Sequence, residues 1–115
     1  MKKIYHLSSC STCQRIVNTL ELSPDVVLQD IKTEQITEEQ LQEMKDMSGS
    51  YESLFSRRAM KYRSMGLNEM KLSEEDYKRY ILEEYTFLKR PVMISGDQIF
   101  VGNAKKVVEQ AQSAF

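Results

Sequence analysis

Apolar and polar positions alternate first with a short period, then with a long one, and finally with a short one again. Lys3-Ile4-Tyr5-His6-Leu7 reads as a strand, and the polar run Ser8-Ser9-Cys10-Ser11-Thr12 that follows offers hydroxyls suited to capping a helix. Ile16, Val17 and Leu20 then fall on one helical face, and the helix should close before Ser23-Pro24. Val26-Val27-Leu28 predicts a second strand. Thr37-Glu38-Glu39-Gln40 has the form of a capping box ahead of Leu41 and Met44, and Ser48-Gly49-Ser50 interrupts that helix. Tyr51, Leu54 and Phe55 start a short amphipathic piece, and Gly66 breaks the chain again. Ser73 opens a helix with Tyr77, Ile81 and Tyr85 four residues apart. The period then shortens: Pro91, Val92-Met93-Ile94, the turn residues Ser95-Gly96-Asp97-Gln98, and Ile99-Phe100-Val101 predict a β-hairpin. Gly102-Asn103 leads into a last helix carrying Ala104, Val107, Val108 and Ala111.

The predicted order is βαβ, a helical stretch over about residues 34–88, then ββα. A βαβ unit is nearly always right-handed with parallel strands. Without its middle, this order resembles the thioredoxin fold: an α/β domain with a mixed four-stranded sheet. The expectation is a single thioredoxin-like domain over 1–115 with a helical insertion.

Composition narrows the function classes. At 115 residues, with a formal net charge of -1, the chain has no global field to draw it to nucleic acid or to an anionic membrane. No stretch approaches the roughly 20 apolar residues of a membrane span, and the N-terminus lacks a signal-peptide pattern. The expected compartment is the reducing cytoplasm, where a structural disulfide is rare. The two cysteines therefore call for chemistry. Four glycines leave no phosphate-cradling loop, so no bound nucleotide or flavin is expected.

The cysteines stand as Cys10-Ser11-Thr12-Cys13 between a strand and a helix, the setting of a redox motif. Unpaired N–H groups and the helix dipole stabilise an anion at a first turn, which favours the thiolate of Cys10. Cys13 precedes Ile16, Val17 and Leu20 by three, four and seven residues, so it lies on the packed face. Two readings of it stand: a resolving thiol, or a small buried hydrophobe. One CxxC and one histidine fall short of a four-ligand zinc site, so no metal is expected. His6, four residues before Cys10, would favour the thiolate as an imidazolium or serve only structure. Met44, Met47, Met60, Met65 and Met70 are read as helical core filling.

Two blocks carry a family resemblance. Ile4-Tyr5-His6, Cys10 with Ser11-Thr12, and Arg15 form the first. Lys89-Arg90-Pro91-Val92, Gly96-Asp97 and Val101-Gly102 form the second. Together they resemble the glutaredoxin-linked arsenate reductases (the ArsC family) and the related Spx-type redox regulators. The resemblance implies Cys10 as the nucleophile, with His6, Thr12 and Arg15 as thiolate-activating residues. It implies oxyanion binding by Arg90 and by a middle arginine, Arg58 or alternatively Arg57. It also implies a cis Pro91 beside the cysteine loop. Arg57, Arg58, Lys61 and Arg63 read equally as a solvated basic face.

The implied function is a thiol-dependent oxidoreductase acting on a small oxyanion or a thiol/disulfide substrate. Glutathione or glutaredoxin would be the external reductant. The alternative is an Spx-like regulator that binds RNA polymerase through a Cys10–Cys13 switch. Where the reductases carry a third arginine, this chain reads Val101-Gly102-Asn103-Ala104, so arsenate is expected to be a poor substrate.

Overall fold

The computed structural model describes residues 1–115, which divide into two compact units: Met1–Gln35 with Arg90–Phe115, and Ile36–Lys89.

The first unit holds the sheet. Its elements are β1 (Lys2–His6), α1 (Ser11–Thr19), β2 (Val27–Asp30), β3 (Val92–Ser95), β4 (Gln98–Val101) and α5 (Lys105–Gln112). The strand order is β2-β1-β3-β4, with β1 parallel to β2 and the remaining neighbours antiparallel. In the central strands consecutive residues are buried: Ile4 and Tyr5 in β1, and Val92, Met93 and Ile94 in β3. Ile4, Ile16, Leu20, Met93 and Ala111 form the core here, with Val107, Val108 and Phe100 packed against them. The hairpin register pairs Ser95 with Gln98, leaving Gly96-Asp97 as a two-residue loop. Gly96 takes φ +60°, the first-position geometry of a type II′ turn, which favours glycine.

β2 departs from the sequence reading. It starts at Val27 and runs on to Asp30, leaving Val26 outside. As an edge strand it keeps Val27 49% and Leu28 47% exposed. The residue buried there is Gln29, whose side-chain amide donates to the Glu34 carbonyl at 3.1 Å.

The second unit, Ile36–Lys89, is helical: α2 (Glu38–Ser48), α3 (Met60–Ser64) and α4 (Glu74–Glu83), with 3-10 turns at Glu52–Leu54, Leu67–Glu69 and Tyr85–Phe87. Both long helices open on capping boxes. Thr37 Oγ1 accepts the Gln40 N–H and Gln40 Oε1 accepts the Thr37 N–H, each at 3.0 Å. Ser73 and Asp76 repeat the exchange at 3.2 and 2.9 Å. Gly49, at φ +101°, ends α2 in the left-handed region.

Phe55 centres this unit's core, stacking on Phe87 at 5.0 Å and tilting against Tyr77 at 5.0 Å. To bring Phe87 there, the chain leaves α4 at Glu84 in an extended conformation, so Tyr85 lies beyond the helix that its spacing had predicted. The methionines divide as well. Met44 is fully buried, but Met60 is 90% exposed, and Met65 and Met70 are half exposed, so these three do not fill core.

Candidate active site

The cysteine loop lies between β1 and α1. Cys10 itself occupies the N-cap of α1, the position expected for one of the flanking hydroxyls. Its carbonyl accepts the Gln14 N–H at 3.1 Å, the first bond of the helix, and its own N–H donates to Leu7 O at 3.0 Å. The N-cap side chain is thus a sulfur at the end of the helix where N–H groups lack intrahelical partners.

The two thiols occupy different environments. Cys10 is partly exposed, whereas Cys13 is fully buried on the face of α1 that carries Ile16. Burial pushes the Cys10 thiol up, but four contributions together outweigh it: the Cys13 N–H, the Cys13 thiol, the Thr12 N–H and the Arg90 charge. The net result lies below the ordinary thiol value. For Cys13 burial wins, and with the nearby Cys10 charge it pushes the thiol up to about 11, against opposing help from the Leu7 N–H and Arg90. The pair therefore has a polarity, with the exposed member ionising first.

Arg90 acts on both sulfurs and joins Pro91 through a cis peptide bond. Pro91 is buried, and its carbonyl accepts the Gly102 N–H at 2.9 Å, tying the start of β3 to the end of β4. Thr12 contributes its backbone N–H to the sulfur of Cys10. Arg15 is exposed on α1, and neither it nor His6 is among the groups with the largest effect on Cys10. His6 instead pairs in register with Asp30, and its charge helps hold the Asp30 carboxyl low, after the larger effect of the Ser8 hydroxyl. Arg58 lies in the helical unit, exposed. Its neighbour Arg57 is engaged there by Glu52 at 2.7 Å and by the Tyr77 hydroxyl at 3.1 Å. After β4, Asn103 and Ala104 are exposed and lead directly into α5.

Two residues around the loop, Gln14 and Asp30, escaped the sequence reading, and Ser8 was read only as a capping hydroxyl. Ser8 Oγ donates to Asp30 Oδ2, and the Gln14 side-chain amide donates to the Ser8 carbonyl. Only β-pairing brings Asp30 to the loop, so no local motif announces it. No three His, Cys, Asp or Glu side chains gather where a metal ion could sit, and no helix is long and apolar enough to cross a membrane.

A mixed sheet in this order, with a low-pKa cysteine opening the first helix and a cis-proline at β3, defines a thiol protein of thioredoxin-like fold. The chain belongs to the ArsC family, which matches residues 5–111 and is a family of thiol oxidoreductases. Its fold is similar to the arsenate reductase from Vibrio cholerae, with a TM-score of 0.79 at 17% identity over 99% of this chain and 97% of that one. An arsenate reductase (ArsC) related protein from Brucella melitensis gives 0.73 at 22% identity over 95% and 92%. The YFFB protein gives 0.80 at 19% over 99% and 98%. Comparison with curated proteins finds no match.

Proposed function

We propose that the protein is a cytoplasmic thiol-dependent reductase of the arsenate reductase kind, with Cys10 as nucleophile and Cys13 as resolving thiol. The polarity of the pair carries this reading: a partly exposed thiol held below its ordinary pKa, one helical turn from a buried thiol pushed up to about 11. With a disulfide substrate, the Cys10 thiolate attacks one sulfur and the other leaves as a thiolate, giving a mixed disulfide. Cys13 gives up its proton and attacks the Cys10 sulfur, releasing the second substrate thiol. The cysteines lose two electrons and the substrate gains them. With an arsenic(V) oxyanion, Cys10 would form a sulfur–arsenic bond with loss of water. A second thiol would then take the Cys10 sulfur, and the bonding pair would stay on arsenic, which departs as arsenic(III). No bound cofactor enters this scheme, and glutathione or glutaredoxin returns the disulfide to dithiol.

Arg90, whose charge already favours both thiolates, is the first oxyanion partner. Of the two middle arginines, Arg57 is paired with Glu52, and Arg58 is the one proposed as the second oxyanion arginine. Without a third arginine near Asn103, one oxygen of a tetrahedral oxyanion lacks a charge-assisted donor. That loss costs on the order of 1.5–3 kcal/mol, and arsenate turnover should be slow.

The test is a glutathione- and glutaredoxin-coupled reductase assay on a small disulfide and on arsenate. Cys10→Ser should abolish disulfide reduction, and Cys13→Ser should retain part of it with glutathione resolving the adduct. A Cys10→Ser protein at the wild-type rate would end this reading. The absent third arginine and the CxxC favour a second one, an Spx-like regulator. Binding of purified RNA polymerase that changes when the cysteines are oxidised would select it.

A further inference from the structure

Ser8, at the start of the cysteine loop, is gripped from two sides. Its hydroxyl donates to Asp30 Oδ2 at the end of β2, and its carbonyl accepts the side-chain amide of Gln14 on α1. The carboxylate is itself fixed: Asp30 Oδ1 accepts the Lys32 N–H at 3.1 Å, and the β1–β2 register sets Asp30 opposite His6. Only Ser9 separates Ser8 from Cys10, whose N–H is tied back to Leu7 O at 3.0 Å. A strand and a helix therefore converge on Ser8, two residues before the nucleophile, inside a turn closed by the Cys10 N–H and Leu7 O.

We propose that Asp30 is a positioning residue for Cys10, acting through Ser8: it anchors the loop so that the sulfur stays at the first turn of α1. This rests on the reading of Cys10 as the nucleophile and adds a residue twenty positions along the chain to its machinery. The sulfur gains from the Thr12 and Cys13 N–H groups only while it stays at the first turn of α1. Those donors belong to the helix, whereas the Asp30 anchor of the loop that carries Cys10 comes from β2, outside it. Releasing Ser8 lets the sulfur move away from the donors and lose their stabilisation.

The test measures the pH profile of Cys10 alkylation in the reduced full-length protein, by iodoacetamide labelling and peptide mapping. It compares wild type with Ser8→Ala, Asp30→Ala, Asp30→Asn and Ser8→Ala/Asp30→Ala. Ser8→Ala and Asp30→Ala should each shift the Cys10 profile upward by about half to one pH unit, slowing labelling at neutral pH about three- to tenfold. The double variant should be no slower than the slower single variant, because both act through one contact. Asp30→Asn, which keeps an acceptor oxygen for the Ser8 hydroxyl, should recover most of the rate, and Ser9→Ala should match wild type. Ser8→Ala also leaves the Asp30–His6 pair in place, so its effect cannot be assigned to His6.

The proposal is overturned if both single variants fold with the wild-type profile, including the case where they lose only thermal stability. It is equally overturned if their effects on labelling add. Should Asp30→Ala fail to fold, Ser8→Ala and Asp30→Asn decide the matter alone. A wild-type Cys10 that labels no faster than Cys13 would instead remove the reading on which the proposal rests.

Discussion

The first turns of α1 and α4 meet the same physical problem and resolve it differently. Each helix begins with backbone N–H groups that have no partner within the helix. At α4, Ser73 and Asp76 close them in a reciprocal capping box, and three acidic residues, Glu74, Glu75 and Asp76, add charge of the favourable sign. Another carboxylate of that turn, Glu74, even accepts the Tyr51 and Glu52 N–H groups at 2.8 and 3.1 Å. At α1 the cap position holds Cys10, and no acidic residue stands in the first turn. The donors that stabilise the fold in the helical unit are left in the sheet unit to stabilise a thiolate. An uncapped turn is not a site by itself, since α5 also starts on an alanine, Ala104, and has no thiol there. At α1 the combination of sulfur, free donors and the Arg90 charge makes the difference.

The largest effect expected from this contrast is on reactivity. With the Cys13 thiol pushed up to about 11, its thiolate fraction at neutral pH is on the order of 10⁻⁴. Iodoacetamide should therefore label Cys10 at least about a hundredfold faster than Cys13, before any steric shielding of the buried thiol is counted. Comparable labelling of the two in a peptide map would dissolve the distinction between nucleophile and resolver.

Next in size is the pH dependence of stability, where the cysteines act with opposite signs. The unfolded thiols titrate near about 8.5. Folded Cys10 ionises below the ordinary thiol value, so in the window between the two the unfolded state holds the extra proton and stability rises with pH. Folded Cys13 keeps its proton up to about 11, so above the unfolded value the folded state holds the extra proton and stability falls as pH rises. Urea midpoints across this range should show the alkaline decline in wild type and lose most of it in Cys13→Ala. A decline of equal slope in that variant would place its origin elsewhere.

Capping comes third. Thr37→Ala and Ser73→Ala should each cost about 1 kcal/mol in urea unfolding while leaving the Cys10 labelling rate unchanged. The smallest effect belongs to the middle arginines. Arg57 and Glu52 are about half exposed, so Arg57→Ala should cost only a few tenths of a kcal/mol, and Arg58→Ala less still. A larger loss for Arg58→Ala than for Arg57→Ala would reverse their assignment as oxyanion-binding and structural.

What was legible in the sequence follows the same division between local and distant causes. The Thr37 capping box lies within four residues and stands where its motif placed it, and α4 opens after Ser73 as its sequence indicated. Cys13 is buried where its spacing to Ile16 predicted, and the hairpin closes around Gly96-Asp97. The β2 boundaries were not legible, because Val26-Val27-Leu28 is apolar enough for a central strand and only the sheet order reveals an edge. Exposed Met60, Met65 and Met70 are another case: methionine composition does not say which side of a short helix meets solvent. Tyr85 keeps the helical spacing, yet the packing of Phe87 on Phe55 takes precedence over it. Nor could Asp30 be placed beside the cysteine loop, since its contact with Ser8 spans 22 residues and depends on strand register.

The central claim is that Cys10 attacks first and Cys13 closes the cycle. Intact-protein mass spectrometry after mild peroxide treatment of the wild type, Cys10→Ser and Cys13→Ser tests it directly. The wild type should lose about two daltons, the two hydrogens given up in forming the Cys10–Cys13 disulfide. Cys13→Ser should gain oxygen at Cys10, and Cys10→Ser should remain reduced under the same exposure. A wild type that ends as Cys10 sulfinic acid with Cys13 still a free thiol, or a Cys10→Ser protein that oxidises as fast as wild type, would contradict the account.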